Sequence, residues 1–243
     1  MVIFLASGFW ATAAIAQAVA SGDAGASLPL AGTAKLTMSS GKIFTYFMVM
    51  LGPIKLVGPF VRATKGMDEG VCRKLTIKAF GIACLAGLAA AYIGRSILDK
   101  WGITIPALLL AAGLVLLLVA LQAVLSQYSS APDLSAESLP PPGTVPKGLA
   151  FSGITFPHII TPYGTAALIL LVTAAPDESR VLEILGIFLA VMVLNLAAMW
   201  FARPILKYGA GLLGLLGAVL GVLQVALAMQ MFVAAARMLR VLP

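Results

Sequence analysis

Leu51-Gly52-Pro53-Ile54-Lys55-Leu56-Val57-Gly58-Pro59-Phe60 lies inside an apolar run covering residues 43–61. A run of that length is enough to cross the hydrocarbon core of a bilayer as a helix. Each proline withholds a backbone donor and crowds the preceding turn, so two of them, each beside a glycine, are expected to open the backbone at mid-span. Open backbone in lipid is tolerated only where protein covers it or where it lines a wet cavity. A second stretch of this kind, Phe156-Pro157-His158-Ile159-Ile160-Thr161-Pro162-Tyr163-Gly164, sits in the apolar run 149–173. Simple kinking by proline is the plainer alternative for either span alone.

Outward from these stretches the chain reads as an all-α membrane protein. Of its 243 residues 61% are hydrophobic and only 10% charged, with a mean hydropathy of +1.05. Soluble domains carry about a quarter charged residues, so this apolar surface needs lipid as its solvent. Four further apolar runs, at 75–94, 105–125, 181–201 and 209–236, bring the expected spans to six. Residues 127–148, rich in proline, serine and acid, read as a flexible linker. The linker separates a first three-helix half, 43–126, from a second, 149–239. Three spans per half force the second half to enter the membrane from the opposite side, so the halves are expected to form an inverted repeat whose first helices are broken at prolines.

Residues 1–34 read as a signal peptide or an N-terminal extension. Ala16-Gln17-Ala18 and Ala18-Val19-Ala20 both offer a small-x-small cleavage pattern, although no Lys or Arg precedes Lys35. The loop after the first span holds the densest basic cluster, Arg62, Lys65, Arg73, Lys74 and Lys78. By the positive-inside rule it is cytoplasmic, which puts both termini on the periplasmic side. The formal charge of +7 is scattered over span ends, so no nucleic-acid partner is expected. The two cysteines and one histidine make no metal or redox ligand set. No cofactor is expected, and no catalytic motif marks an enzyme.

The site candidates follow from the two broken stretches. Paired interrupted spans at matching positions are a sequence pointer to a transporter binding site, here Gly52, Pro53, Lys55 and Gly58 with Pro157, His158, Thr161, Pro162 and Gly164. An ionisable side chain at membrane depth is functional by default. Lys55 either snorkels to the interface or faces a cavity. His158 is either a neutral imidazole bonded to a freed carbonyl or a proton-coupling group titrating near neutrality. No carboxylate lies inside a span, Glu183 being nearest, so a carboxylate relay is not expected. The pair Gly217 and Gly221 reads as a close helix–helix contact.

These stretches resemble the MarC family of small bacterial and archaeal membrane proteins. Gly94-Arg95-Ser96-Ile97-Leu98-Asp99-Lys100-Trp101-Gly102-Ile103-Thr104-Ile105-Pro106, continuing to Gly113, is similar to the family's glycine-to-proline segment before its A-G-G. Pro53 stands where the family has Asn-Pro, Pro157 and Thr161-Pro162-Tyr163-Gly164 resemble its second-half Pro and Gly-Pro-Gly, and Ala228-Met229-Gln230-Met231-Phe232 resembles its closing segment. The resemblance implies a six-span inverted-repeat transporter of small neutral amino acids in the bacterial cytoplasmic membrane, with the solute between the broken first and fourth helices. The chain departs from the family pattern at Gly52 (for Asn), at Thr161 and Tyr163 around Pro162, and at Lys55 and His158, where small or apolar residues are usual. A midplane Lys55 favours an anion. The expected partners are therefore a small solute, first an amino acid and second a small anion, and the lipid bilayer. A homo-oligomer is compatible with this reading. A channel, or a helper protein that transports nothing, are the rival functional classes.

Overall fold

A computed structural model describes residues 39–64, 66–125 and 159–239. Seven helices and no strand occur among them: α1 (Ser40–Leu51), α2 (Ile54–Ala63), α3 (Glu69–Trp101), α4 (Ile105–Leu125), α5 (Pro162–Thr173), α6 (Glu178–Trp200) and α7 (Ala202–Met238). Five units are long and apolar enough to cross a membrane: α1 with α2, α3, α4, α6, and residues Gly211–Met238 of α7. The shorter α5 ends where the fourth apolar run was expected to end, and residues 149–158 before it lie outside the described residues. So do residues 1–34, expected to be a signal peptide or N-terminal extension, and residues 127–148, expected to be a linker.

Helix α4 coincides with its apolar run because its boundary signals are local. Gly102 adopts φ 62°, a left-handed conformation that favours glycine. The Ile103 N–H then bonds the Leu98 carbonyl at 3.0 Å, closing α3 as a Schellman turn, and Pro106 suits the first turn of α4. The segment Gly94–Pro106 thus holds the end of α3, the turn Gly102-Ile103-Thr104 and the start of α4. By contrast α3, with 33 residues, is about 50 Å long at 1.5 Å per residue, well beyond a hydrocarbon core of about 30 Å. Its first turns carry the exposed Arg73, Lys74 and Lys78, so part of the basic cluster expected in a loop is helical.

The helices pack chiefly across the two chain halves. The broadest contact joins α4 to α7; α3 packs on α5 and α6, α6 on α1 and α2, α4 on α5, and α2 on α7. The buried positions Leu109, Ala112, Gly113, Leu116 and Ala120 form one stripe of α4 at helical spacing. Glycines allow the closest approaches. A Cβ on Gly87 would lie 2.2 Å from Phe188 Cζ, and one on Gly94 would lie 2.5 Å from Ile169 Cδ1. A Cβ on Gly221 would lie 3.0 Å from Val124 Cγ2 of α4, whereas one on Gly217 would meet nothing within 4 Å among the described residues, so the expected close contact is made by one glycine of that pair. Leu85, Tyr92, Leu182 and Leu215 point outward, as lipid-facing side chains do.

Polar contacts define the two ends of the bundle. At one end the Ser40 hydroxyl and the Arg180 guanidinium donate to Glu183, and Arg95 lies 3.9 Å from Glu178. At the other, Arg203 donates to the Met67 carbonyl at 2.8 Å and Arg73 stacks over Trp200, 5.1 Å from its centroid. The start of α1, the end of α3 and the start of α6 therefore share one end. The starts of α3 and α7 share the other.

Candidate functional site

Pro53 dictates what happens at the end of α1. In a continuous helix residue 53 would donate to the Val49 carbonyl, but proline has no N–H. Gly52 instead takes an extended conformation, φ −69° and ψ 160°, and α2 restarts from the Pro53 carbonyl, which accepts the Leu56 N–H at 3.0 Å. Two carbonyls at the end of α1 receive amide donors from the second half. Gln224 Nε2 of α7 donates to Val49 at 2.8 Å, and Asn195 Nδ2 of α6 donates to Leu51 at 2.7 Å. Both amides are buried. An unpaired carbonyl in lipid costs several kcal/mol (about 2–7 for an amide without a partner), so these two side chains make the interruption tolerable.

Pro59 behaves differently from the expectation that both prolines open the backbone. It lies within α2. Its missing N–H costs a single bond, the one to the Lys55 carbonyl, and no neighbouring residue turns extended as Gly52 does. The open stretch is therefore confined to Gly52–Pro53. Gly58, half-buried in α2, meets nothing within 4 Å among the described residues and is not drawn into the break.

The second stretch supplies a helix start. Thr161 is the N-cap of α5 with φ −90° and ψ 145°, and Pro162 takes the first helical position, where no N–H is needed. The Thr161 hydroxyl oxygen accepts the Gly164 N–H at 3.1 Å, leaving its proton to donate elsewhere. Gly164 is required by proximity: a Cβ there would lie 2.5 Å from Leu51 Cδ2 and 2.6 Å from Thr161 Oγ1. The end of α1 thus rests against the start of α5. Pro157 and His158 lie outside the described residues.

Lys55 joins the two stretches. Its ammonium donates to the Tyr163 hydroxyl at 3.1 Å and stands 5.3 Å from the Tyr163 ring centroid, a cation–π distance. Tyr163 is buried and Lys55 half-buried. The acids of the described residues, Asp68, Glu69, Asp99, Asp177, Glu178 and Glu183, all sit at or near helix ends, and none pairs with Lys55 among the described ion pairs. A small cavity of about 20 Å³ nearby, lined by Tyr46, Met50, Leu109, Ala167, Leu170, Leu171 and Met231, offers no polar atom and reads as a packing void. No cluster of three metal-capable side chains occurs among the described residues.

The structure therefore brings Gly52, Pro53, Lys55, Thr161, Pro162 and Gly164 together and adds Tyr163 and Asn195, with Gln224 as a structural cap on Val49. Asn195 carries a signal readable in the sequence, since it is the only asparagine in the chain and lies in the middle of an apolar run. Buried amides hydrogen-bond across membrane helices without carrying the charge that marks an ionisable residue in a span. Gln224→Leu is expected to leave the Val49 carbonyl unpaired and destabilise the fold by about 1–3 kcal/mol. Thermal unfolding in detergent measures this, and an unchanged melting temperature would remove the capping role.

A chain whose described residues are all helical or connecting, with lipid-facing apolar side chains and interior amides capping a break within its first span, is a multi-pass integral membrane protein. The family model described as MarC family integral membrane protein matches residues 38–240, and the chain belongs to that family. No curated protein and no solved structure matches it.

Proposed function

We propose that the chain is a secondary transporter of a small polar solute that works by alternating access, with small neutral amino acids as its first substrate class. The observation that carries this reading is the meeting of a helix end and a helix start, Leu51–Gly52 against Thr161–Gly164, bridged by the Lys55–Tyr163 hydrogen bond. Irregular backbone at membrane depth is tolerated where protein buries it or where it lines a cavity, and paired interrupted spans are a pointer to a transporter site. The packing supports two inverted three-helix halves. Exchanging the halves turns the α3–α5 contact into that of α6 with α1 and α2, and the α4–α5 contact into the α7–α2 contact. The α4–α7 and α3–α6 contacts map onto themselves. In this reading the first helix of each half is interrupted at proline, and the halves rock about the shared centre.

Lys55 would hold a carboxylate, the Thr161 hydroxyl would donate to it, and the dipole at the start of α5 would favour it further. His158 is the candidate for proton coupling. The carrier is not an enzyme, its partners are the solute and the bilayer, and its place is the bacterial cytoplasmic membrane. Arg73, Lys74, Lys78 and Arg203 gather at one end of the bundle, which supports a cytoplasmic location for that end and periplasmic termini. A second reading, a small-anion carrier, is favoured by the ammonium of Lys55 having no carboxylate among the described residues.

Uptake of labelled glycine and alanine into proteoliposomes of the purified chain, with and without a proton gradient, tests the proposal. Saturable uptake that exchanges with unlabelled substrate is the expected result. Uptake no greater than in empty liposomes overturns the amino-acid assignment, and non-saturating flux without counterflow identifies a channel.

A further inference from the structure

Asn195 is 1% exposed, and only half of its amide is used. Nδ2 donates to the Leu51 carbonyl, while Oδ1 is buried with no hydrogen-bond partner among the described residues. A buried amide oxygen without a donor is costly and rare in native structures, and such a group calls for an explanation. Its position supplies one. The oxygen is anchored through Nδ2 to the last residue of α1, beside the extended Gly52 and four residues from Lys55. Lys55 presents the complementary character, an ammonium donor whose one hydrogen-bond partner among the described residues is a neutral phenol. The break thus holds one strong donor without an anion and one buried acceptor without a donor. A solute bearing both a carboxylate and an amino group satisfies the two together, whereas an anion alone leaves the oxygen stranded.

We infer that Asn195 Oδ1 is the acceptor for the amino group of the transported solute, and so the residue that separates amino acids from plain carboxylates at this site. The inference rests on the proposed binding of a carboxylate-bearing solute near Lys55 and adds the second point of recognition. Gln224 caps a neighbouring carbonyl but carries no such orphaned oxygen, which makes it the control for a purely structural amide.

The test compares alanine with propionate, which is alanine without its amino group. Binding is read as ligand-induced thermal stabilisation of the purified full chain, a measurement that does not depend on transport. The wild type is expected to half-saturate with alanine at a concentration at least about tenfold below that for propionate, because a site built to bond a polar group rejects the analogue lacking it. Asn195→Leu is expected to bring the two within about threefold by weakening alanine alone. Asn195→Asp, which keeps an acceptor oxygen at this position, is expected to retain the preference for alanine. Gln224→Leu lowers the melting temperature and leaves the ratio intact. Equal binding of alanine and propionate by the wild type overturns the inference, as does a wild-type ratio in Asn195→Leu or a lost preference in Asn195→Asp. Vesicles that take up nothing, made with protein that still discriminates alanine from propionate in an Asn195-dependent way, would count against transport and leave this recognition standing.

Discussion

Lys55→Met is expected to abolish uptake while raising the melting temperature of the purified protein. Methionine keeps the length and apolar stem of lysine and removes only the ammonium. In the described structure that ammonium bonds a neutral phenol and faces its ring, so its removal strands no opposite charge. A lysine at the centre of a spanning helix costs about 2.5–3.5 kcal/mol on insertion scales, and a partial return of about 1 kcal/mol would lift the melting temperature by roughly 2–4 °C for a chain of this size. Transport moves the other way. A hydrogen bond to a charged partner contributes about 1.5–3 kcal/mol, which corresponds to a loss of roughly 10- to 150-fold in apparent affinity for a carboxylate. Saturation curves in proteoliposomes beside thermal scans in detergent check both signs. Wild-type uptake by the methionine variant would remove Lys55 from the site. A fall in melting temperature would assign it a structural role.

Gly52→Ala is expected to be the most damaging single-methyl change in the chain. The added Cβ would lie 1.9 Å from the Met48 carbonyl oxygen and 2.9 Å from its carbon. Both are backbone atoms in the last turn of α1 and cannot rotate aside as the tip of a side chain can. Relief requires that turn to unwind, which carries the Val49 and Leu51 carbonyls away from Gln224 and Asn195. Losing both caps in a buried setting places the cost at about 3–5 kcal/mol, or roughly 6–20 °C in melting temperature. Size-exclusion profiles and thermal scans of the detergent-solubilised protein measure it. A monodisperse variant unfolding within a degree or two of the wild type would show that the break has room to adjust. Since Asn stands here in the family pattern that the sequence resembles, Gly52→Asn is expected to be no milder: in this chain the space is already filled by the Met48 carbonyl.

The parts of the fold legible in the sequence are those set by local chemistry. Helix α4 has its expected bounds because an unbroken apolar run is flanked by Gly102 and Pro106. The ends of α3 and α7 extend beyond their apolar runs, since hydropathy marks only the part of a helix that lipid touches, and amphipathic end turns with exposed Arg73 and Lys74 are invisible to it. At the site, Pro53, Pro162 and Lys55 announce themselves, one through a missing donor in mid-span, one as a helix starter and one through charge. Tyr163 stands out in the sequence as a departure from the family pattern around Pro162, but a neutral phenol gives no local sign that it meets Lys55. The amides were harder still. Asn195 and Gln224 meet their carbonyls across 144 and 175 positions of chain, and no local pattern in the sequence relates residues so far apart. Pro59 shows the opposite failure: the residue type predicted an interruption, and the helix absorbed it because no neighbouring glycine departs from helical geometry.

The reach of those two amide bonds also sets an order of events at the ribosome. The carbonyls of Val49 and Leu51 enter the bilayer with the first hairpin, whereas the side chain that closes over Val49 is made 175 residues later. At about 5–20 residues per second the gap is roughly 10 to 35 seconds. For that interval the newborn break must borrow its hydrogen bonds from water or from the insertion machinery. The nascent chain is therefore most exposed to quality-control proteases after its first half is threaded and before its last helix arrives.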